Sequence, residues 1–181
     1  MNRLFTCIVL VFLSTTLHAD IFGKLGFYAS MHGSIDFVEF AKPGVDNIKR
    51  EGTGFGLELS PGVRLGSFLA FGPFGMLSSI ADSTHDNKTY LLSGYGGEMK
   101  IRFAPINIKG GYGSYTFKET VGEVETDYKK GTGWHASVGF EALLGPGMTI
   151  FLDAKYRKIN FSKFAAEIVS TSGILGVTSY F

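Results

Sequence analysis

Residues 150–157 read Ile-Phe-Leu-Asp-Ala-Lys-Tyr-Arg, and their order decides between helix and strand. Taken alternately, Ile150, Leu152, Ala154 and Tyr156 form an apolar set, while Phe151, Asp153, Lys155 and Arg157 form a set rich in charge. A helix would scatter both sets around its axis, whereas a strand sorts them onto opposite faces. The same period recurs upstream. Trp134, Ala136, Val138, Phe140 and Ala142 alternate with His135, Ser137, Gly139 and Glu141. Met99, Ile101 and Phe103 alternate with Glu98, Lys100 and Arg102, and Phe55, Leu57, Leu59, Val63 and Leu65 with Glu58, Ser60 and Arg64.

Turn chemistry punctuates these runs. Tight connections fall at residues 65–68 ("LGSF"), 103–106 ("FAPI") and 144–147 ("LGPG"). Longer polar ones fall at 41–52 ("AKPGVDNIKREG"), 81–88 ("ADSTHDNK"), 118–131 ("KETVGEVETDYKKG") and 160–167 ("NFSKFAAE"). Three short and four long connections join eight strands, predicted at 25–40, 53–65, 68–80, 89–103, 106–117, 132–143, 148–159 and 168–181. Alternation is weakest in the third and eighth.

The whole chain agrees with this reading. Its 181 residues suit one domain, and a net charge of +1 gives no electrostatic footprint for nucleic acid. Glycine (25) and phenylalanine (17) are abundant while proline (5) is scarce, which fits bent, closely packed strands with a large apolar surface.

Residues 1–19 stand apart. Asn2 and Arg3 precede an apolar run from Leu4 to Leu13, and Ser14–Ala19 follow with small residues. The run is too short to cross a bilayer as a helix and carries the flanks of a secretory leader, so a cleaved signal peptide is expected at 1–19, with one domain at 20–181. The single cysteine, Cys7, precedes most of the apolar run, where a lipoprotein cysteine would follow it.

Periodicity alone does not say which face is inside. A soluble lipocalin-like barrel would keep its apolar face inward. Three features favour the opposite: strands long enough for the ~9–11 residues of a tilted crossing, aromatics near strand ends (Phe27, Phe55, Phe68, Tyr90, Phe103, Tyr112, Trp134, Tyr156) where a headgroup girdle would lie, and a leader followed by strands. In lipid every backbone group must pair internally, so the sheet must close. The fold class expected is all-β: an eight-stranded antiparallel up-and-down transmembrane β-barrel.

Residues 133–157 ("GWHASVGFEALLGPGMTIFLDAKYR") resemble the penultimate hairpin of the small eight-stranded outer-membrane barrels of Gram-negative bacteria, the opacity and outer-membrane protein A-like transmembrane domains. The ending "GILGVTSYF" (173–181) is similar to that family's terminal signal for the barrel-assembly machinery. Gly176, Val177 and Phe181 match, as does Leu175, while Ser179 departs from the usual apolar residue. The resemblance implies export to the outer membrane, contact with its lipids and the assembly machinery, and a structural or surface-interaction role through extracellular loops that meet host or phage molecules. From the charge and the motifs, no nucleic-acid partner and no cofactor are expected.

Eight strands enclose a lumen that side chains fill. The expected inward set is Glu58, Arg64, Glu98, Lys100, Arg102, Lys109, Glu141, Asp153, Lys155 and Arg157, with His32 and Asp36. Its signs nearly balance, which favours a paired ionic plug over a narrow small-solute pore. His135 and Ser137 lie two apart on one strand face, a spacing similar to the His-x-Ser pair of outer-membrane lipid A deacylases. That pair is lipid-facing in those enzymes and inward here, so no catalytic residue is expected. No metal-ligand spacing links the four histidines, and the Gly-x-Gly strings lack a nucleotide-binding context.

Overall fold

The computed structural model describes residues 25–41, 49–83, 88–121, 124–161 and 166–181. The expected leader, Cys7, the cleavage point after Ala19 and the tips of the long connections lie outside these residues. Eight strands are present: β1 (Leu25–Ala41), β2 (Lys49–Leu65), β3 (Leu69–Asp82), β4 (Lys88–Phe103), β5 (Ile106–Val121), β6 (Val124–Gly145), β7 (Met148–Phe161) and β8 (Ala166–Tyr180). They form one closed antiparallel barrel in chain order.

Closure is made by β1 and β8, paired from Tyr28–Tyr180 to Ala41–Glu167. Beyond Tyr180 the seam gains two more backbone bonds: the Phe27 amide donates to the Phe181 carbonyl at 3.2 Å, and the Phe181 amide to the Phe27 carbonyl at 2.9 Å. Among the described residues no strand edge is left to pair with another chain. At the short-connection end, Gly66 and Gly147 take φ of 61° and 71°, left-handed values that favour glycine and let neighbouring strands turn back within two or three residues.

The strands outrun their expected limits at the long-connection end. Residues 118–121 and 124–131, read as loop, are instead strand, with Lys118 opposite Asp127 and Val121 opposite Val124. The register slips between Tyr115 and Phe117. Polarity suggested a loop there, but Thr116, Thr120, Val121, Val124 and Thr126 are β-branched and suit a strand that needs no apolar outer face once it has left the bilayer. β6, at 22 residues, is about twice the length needed to cross a membrane.

Through most of the barrel the apolar face is outward. Leu57, Leu59, Met99, Val138, Phe140, Leu152 and Leu175 are exposed, while the charged set alternating with them is inside. A soluble lipocalin-like arrangement is the reverse of this. Toward the long-connection end the pattern inverts. Outward positions there hold Glu39, Glu51, Thr53, Ser79, Thr89, Thr132 and Asn160, and inward ones hold a packed cluster of Val38, Ile80, Tyr90, Leu92, Tyr115, Ile159, Phe161 and Ile168.

One expected girdle residue therefore moves. Tyr90 is buried in that cluster, its ring stacked on Phe117 at 5.1 Å and its hydroxyl donating to Asp82 at 2.8 Å. Phe27, Phe55, Tyr112 and Trp134 do face outward, and Trp134 lies 5.4 Å from Tyr156. Phe68 packs edge-on against Phe103 at the short-connection end.

Candidate functional site

Among the described residues polar chemistry converges in the lumen, where it is arranged in tiers. Nearest the short connections, Glu141 on β6 gathers three donors. Lys100 Nζ lies 2.9 Å from its Oε2, Arg102 reaches both oxygens at 2.9 and 3.2 Å, and the Tyr180 hydroxyl donates to Oε1 at 2.9 Å. Arg102 and Arg64 also lie over the Tyr180 ring, 4.5 and 5.3 Å from its centroid. A carboxylate with this many donors keeps its charge without water.

The middle tier is denser. Asp153 accepts from Asn107 Nδ2 at 3.0 Å and Ser137 Oγ at 3.4 Å, and Lys109 Nζ lies 3.0 Å away. Glu58 binds Lys155 at 2.6 Å and lies within 3.4 Å of His32 and 3.6 Å of Arg157. Glu98 sits 2.9 Å from His135 Nε2. Phe151 lines this tier as a lid for cations, with Lys109 Nζ 3.6 Å from its centroid. The uppermost tier is the apolar cluster, with Ser78 donating to Asp36 at its edge.

Seven acids (Asp36, Glu58, Asp82, Glu98, Glu119, Glu141, Asp153) and seven bases (Arg64, Lys88, Lys100, Arg102, Lys109, Lys155, Arg157) face the lumen among the described residues, Lys88 and Glu119 as a pair at the long-connection end. With neutral histidines their formal charges cancel. Every charged residue expected inward lies on this face; Arg64 and Arg102 are only partly buried, at the open short-connection end. His135 and Ser137 also point inward but serve different acids, Glu98 and Asp153.

Three features were not anticipated. Asn107 and Asp82 join the polar set, and the apolar tier closes the lumen above it. Asn107 shares strand parity with Lys109, an inward assignment already made, and in the apolar tier Leu92 shares it with Glu98 and Ile159 with Arg157. Extending that parity would have found these, but not Asp82, whose strand β3 held no residue assigned inward.

At the chain's end Phe181 is 75% exposed and faces outward. Gly176 faces the lumen, where a Cβ would lie 2.6 Å from Phe151 Cζ and 2.7 Å from the Met31 carbonyl oxygen. Close packing by itself therefore requires that glycine.

A closed antiparallel barrel, outwardly apolar and ionic within, is matched by a family model described as the outer membrane protein beta-barrel domain, over residues 5–180. The chain belongs to that family. It is an outer-membrane protein of the Gram-negative type, in contact with the lipids of that membrane. The barrel is similar to the crystal structure of Neisserial surface protein A, at 15% identity and TM-score 0.62, covering 86% of this chain and 97% of that one. It is also similar to the outer membrane protein AlkL determined in lipid bilayers, at 13% identity and TM-score 0.54, covering 88% and 92%. Likeness at these identities speaks for the fold. No curated protein sequence matches the chain.

Proposed function

We propose that this barrel is a sealed, non-catalytic scaffold that acts through what it holds above the extracellular rim. The observation that carries this reading is the filled lumen. A neutral network of paired charges lies below a cluster of Phe40, Tyr90, Phe117 and Phe161 rings, with Tyr90 4.8 Å from Phe40 and Phe117 6.1 Å from Phe161. A pore would need a continuous wet path with a preferred sign of charge. With the interior committed to packing, recognition falls to the rim and its loops, above all to the long β5–β6 hairpin that carries Lys118, Glu119, Glu125 and Asp127. Its partners would be surface molecules of a host or phage.

His135 and Ser137 support no hydrolase, because each is held by a different buried acid. On this reading residues 1–19 are removed on export, and the outward Phe181 with Val177 is read by the assembly machinery. Purified barrel in planar bilayers is expected to give no current steps of defined size. Stable, ion-selective openings would refute the sealed scaffold and favour the narrow pore. Replacing residues 119–126 by a two-residue turn is expected to leave the barrel folded while abolishing attachment of expressing cells to their target surface.

A further inference from the structure

Three strands bring metal-binding side chains to one point in the middle tier. Glu58 (β2), Glu98 (β4) and His135 (β6) each present a ligand atom, all within 4.8 Å of one another. His32 on β1 flanks this group, its Nε2 3.4 Å from Glu58 Oε1. All four residues are at least nine-tenths buried. We infer that this cluster is a binding site for one divalent first-row transition-metal ion, with zinc the best fit.

The spacing supports this. Bonds of about 2.0–2.1 Å to a tetrahedral ion put neighbouring ligand atoms roughly 3.3 Å apart. His32 Nε2 and Glu58 Oε1 stand at 3.4 Å, and His135 Nε2 and Glu98 Oε2 at 2.9 Å. The Glu58, Glu98 and His135 atoms span up to 4.8 Å, so these two close pairs must draw together by about an ångström for the set to close around an ion. Mixed imidazole and carboxylate donors suit zinc better than calcium or magnesium, which prefer oxygen alone.

A second observation points to a ligand. Glu58 Oε1 is buried with no hydrogen-bond partner. Its other oxygen is held by Lys155 at 2.6 Å, which fixes the carboxylate with Oε1 turned toward His32. An unsatisfied buried carboxylate oxygen is costly, and a metal ion is one way to satisfy it. Lys155 and Arg157 oppose the ion, since they already neutralise charge that it would use. Removing the Lys155 charge should therefore strengthen binding.

The aromatic cluster closes the lumen above and the Arg102–Glu141–Tyr180 group narrows it below, so the ion is best supplied while the barrel forms. Tag-free protein would be refolded into detergent from metal-free denaturant, with and without zinc chloride, and desalted. Elemental analysis would give zinc per barrel, and cobalt substitution would report tetrahedral geometry by its visible absorption. One zinc per barrel is expected. Glu98→Gln and His135→Gln should weaken binding by about 10-fold or more, and Lys155→Met should strengthen it. Heat-modifiable gel migration shows that each variant is folded, and His32→Gln takes the place of any that is not. Folded wild-type protein that retains no zinc, or folded variants that bind as wild type does, would overturn the site.

Discussion

Replacing Glu58 by Gln tests the lumen where its charges are most interdependent. The substitution keeps shape and an acceptor for Lys155 but removes the charge that faces Lys155 at 2.6 Å and Arg157 at 3.6 Å. At an effective dielectric of about 20, the first pair alone is worth roughly 6 kcal/mol of gross attraction. Desolvation, at several kcal/mol per ion, offsets much of that in the intact pair. The variant keeps the desolvated cations and loses the attraction, so an unfolding free energy lower by about 3–5 kcal/mol is expected. The assay is urea unfolding of the barrel refolded in detergent, followed by gel migration and by tryptophan fluorescence. Adding Lys155→Met removes the stranded cation and should restore about 2 kcal/mol, a coupling a double-mutant cycle resolves. Glu58→Gln within about 0.5 kcal/mol of wild type would refute the reasoning. It would mean that water reaches Lys155 and Arg157, and the sealed lumen would go with it.

Other consequences are open to direct measurement. Trp134 is the only tryptophan and is 44% exposed on the outer wall, so brominated acyl chains should quench its emission strongly and aqueous iodide weakly; the opposite order would place that wall in water. Gly72→Ala would put a Cβ on the Pro61 carbonyl oxygen and 2.6 Å from Gly62 Cα, so it should impair refolding, whereas Gly75→Ala on the opposite face of β3 meets nothing within 4 Å and should refold as wild type. Phe181→Ser keeps both backbone bonds to Phe27, so refolding in vitro should be unchanged while insertion in cells falls; equal insertion would remove the terminal aromatic from any role in assembly.

Much of this architecture was legible in the order of the residues. Period two in residues 150–157 assigns a strand, and the charges at 153, 155 and 157 name its inner face. Once one face of a strand is known, every second residue along it follows, because the pleat allows no exception short of a bulge. What escaped was hidden by a further assumption, that inward means polar. Tyr90 reads as a girdle residue because it is amphipathic and near a strand end, although it shares parity with Glu98 and Lys100. Residues 118–131 read as a loop because they are polar, although polarity marks a loop only where a strand must bury a face. Which acid meets which base could not be read at all, since Lys155 and Glu58 lie 97 positions apart and meet only across the closed lumen.

The inversion of pattern along the barrel explains these misreadings together. Inside the bilayer the outer solvent is hydrocarbon, so Leu57, Met99 and Leu152 belong outside and the lumen is left to charges that must satisfy one another. Above the bilayer the outer solvent is water, and the same strands revert to the rule of soluble proteins. Glu39, Thr89 and Asn160 then turn outward, and Tyr90, Phe117 and Phe161 form a core. A single strand can obey both rules because its two faces trade roles while the pleat runs on unbroken, as β4 does between Glu98 inside and Leu92 inside. The change from charged to apolar lumen therefore marks where the chain leaves lipid. Outward Tyr112 and Trp134, neighbours in the β5–β6 register, stand near that level as an interfacial pair. The apolar core above it lets the hairpins stand clear of the membrane without lipid to hold them, and so gives the rim a rigid base from which to act.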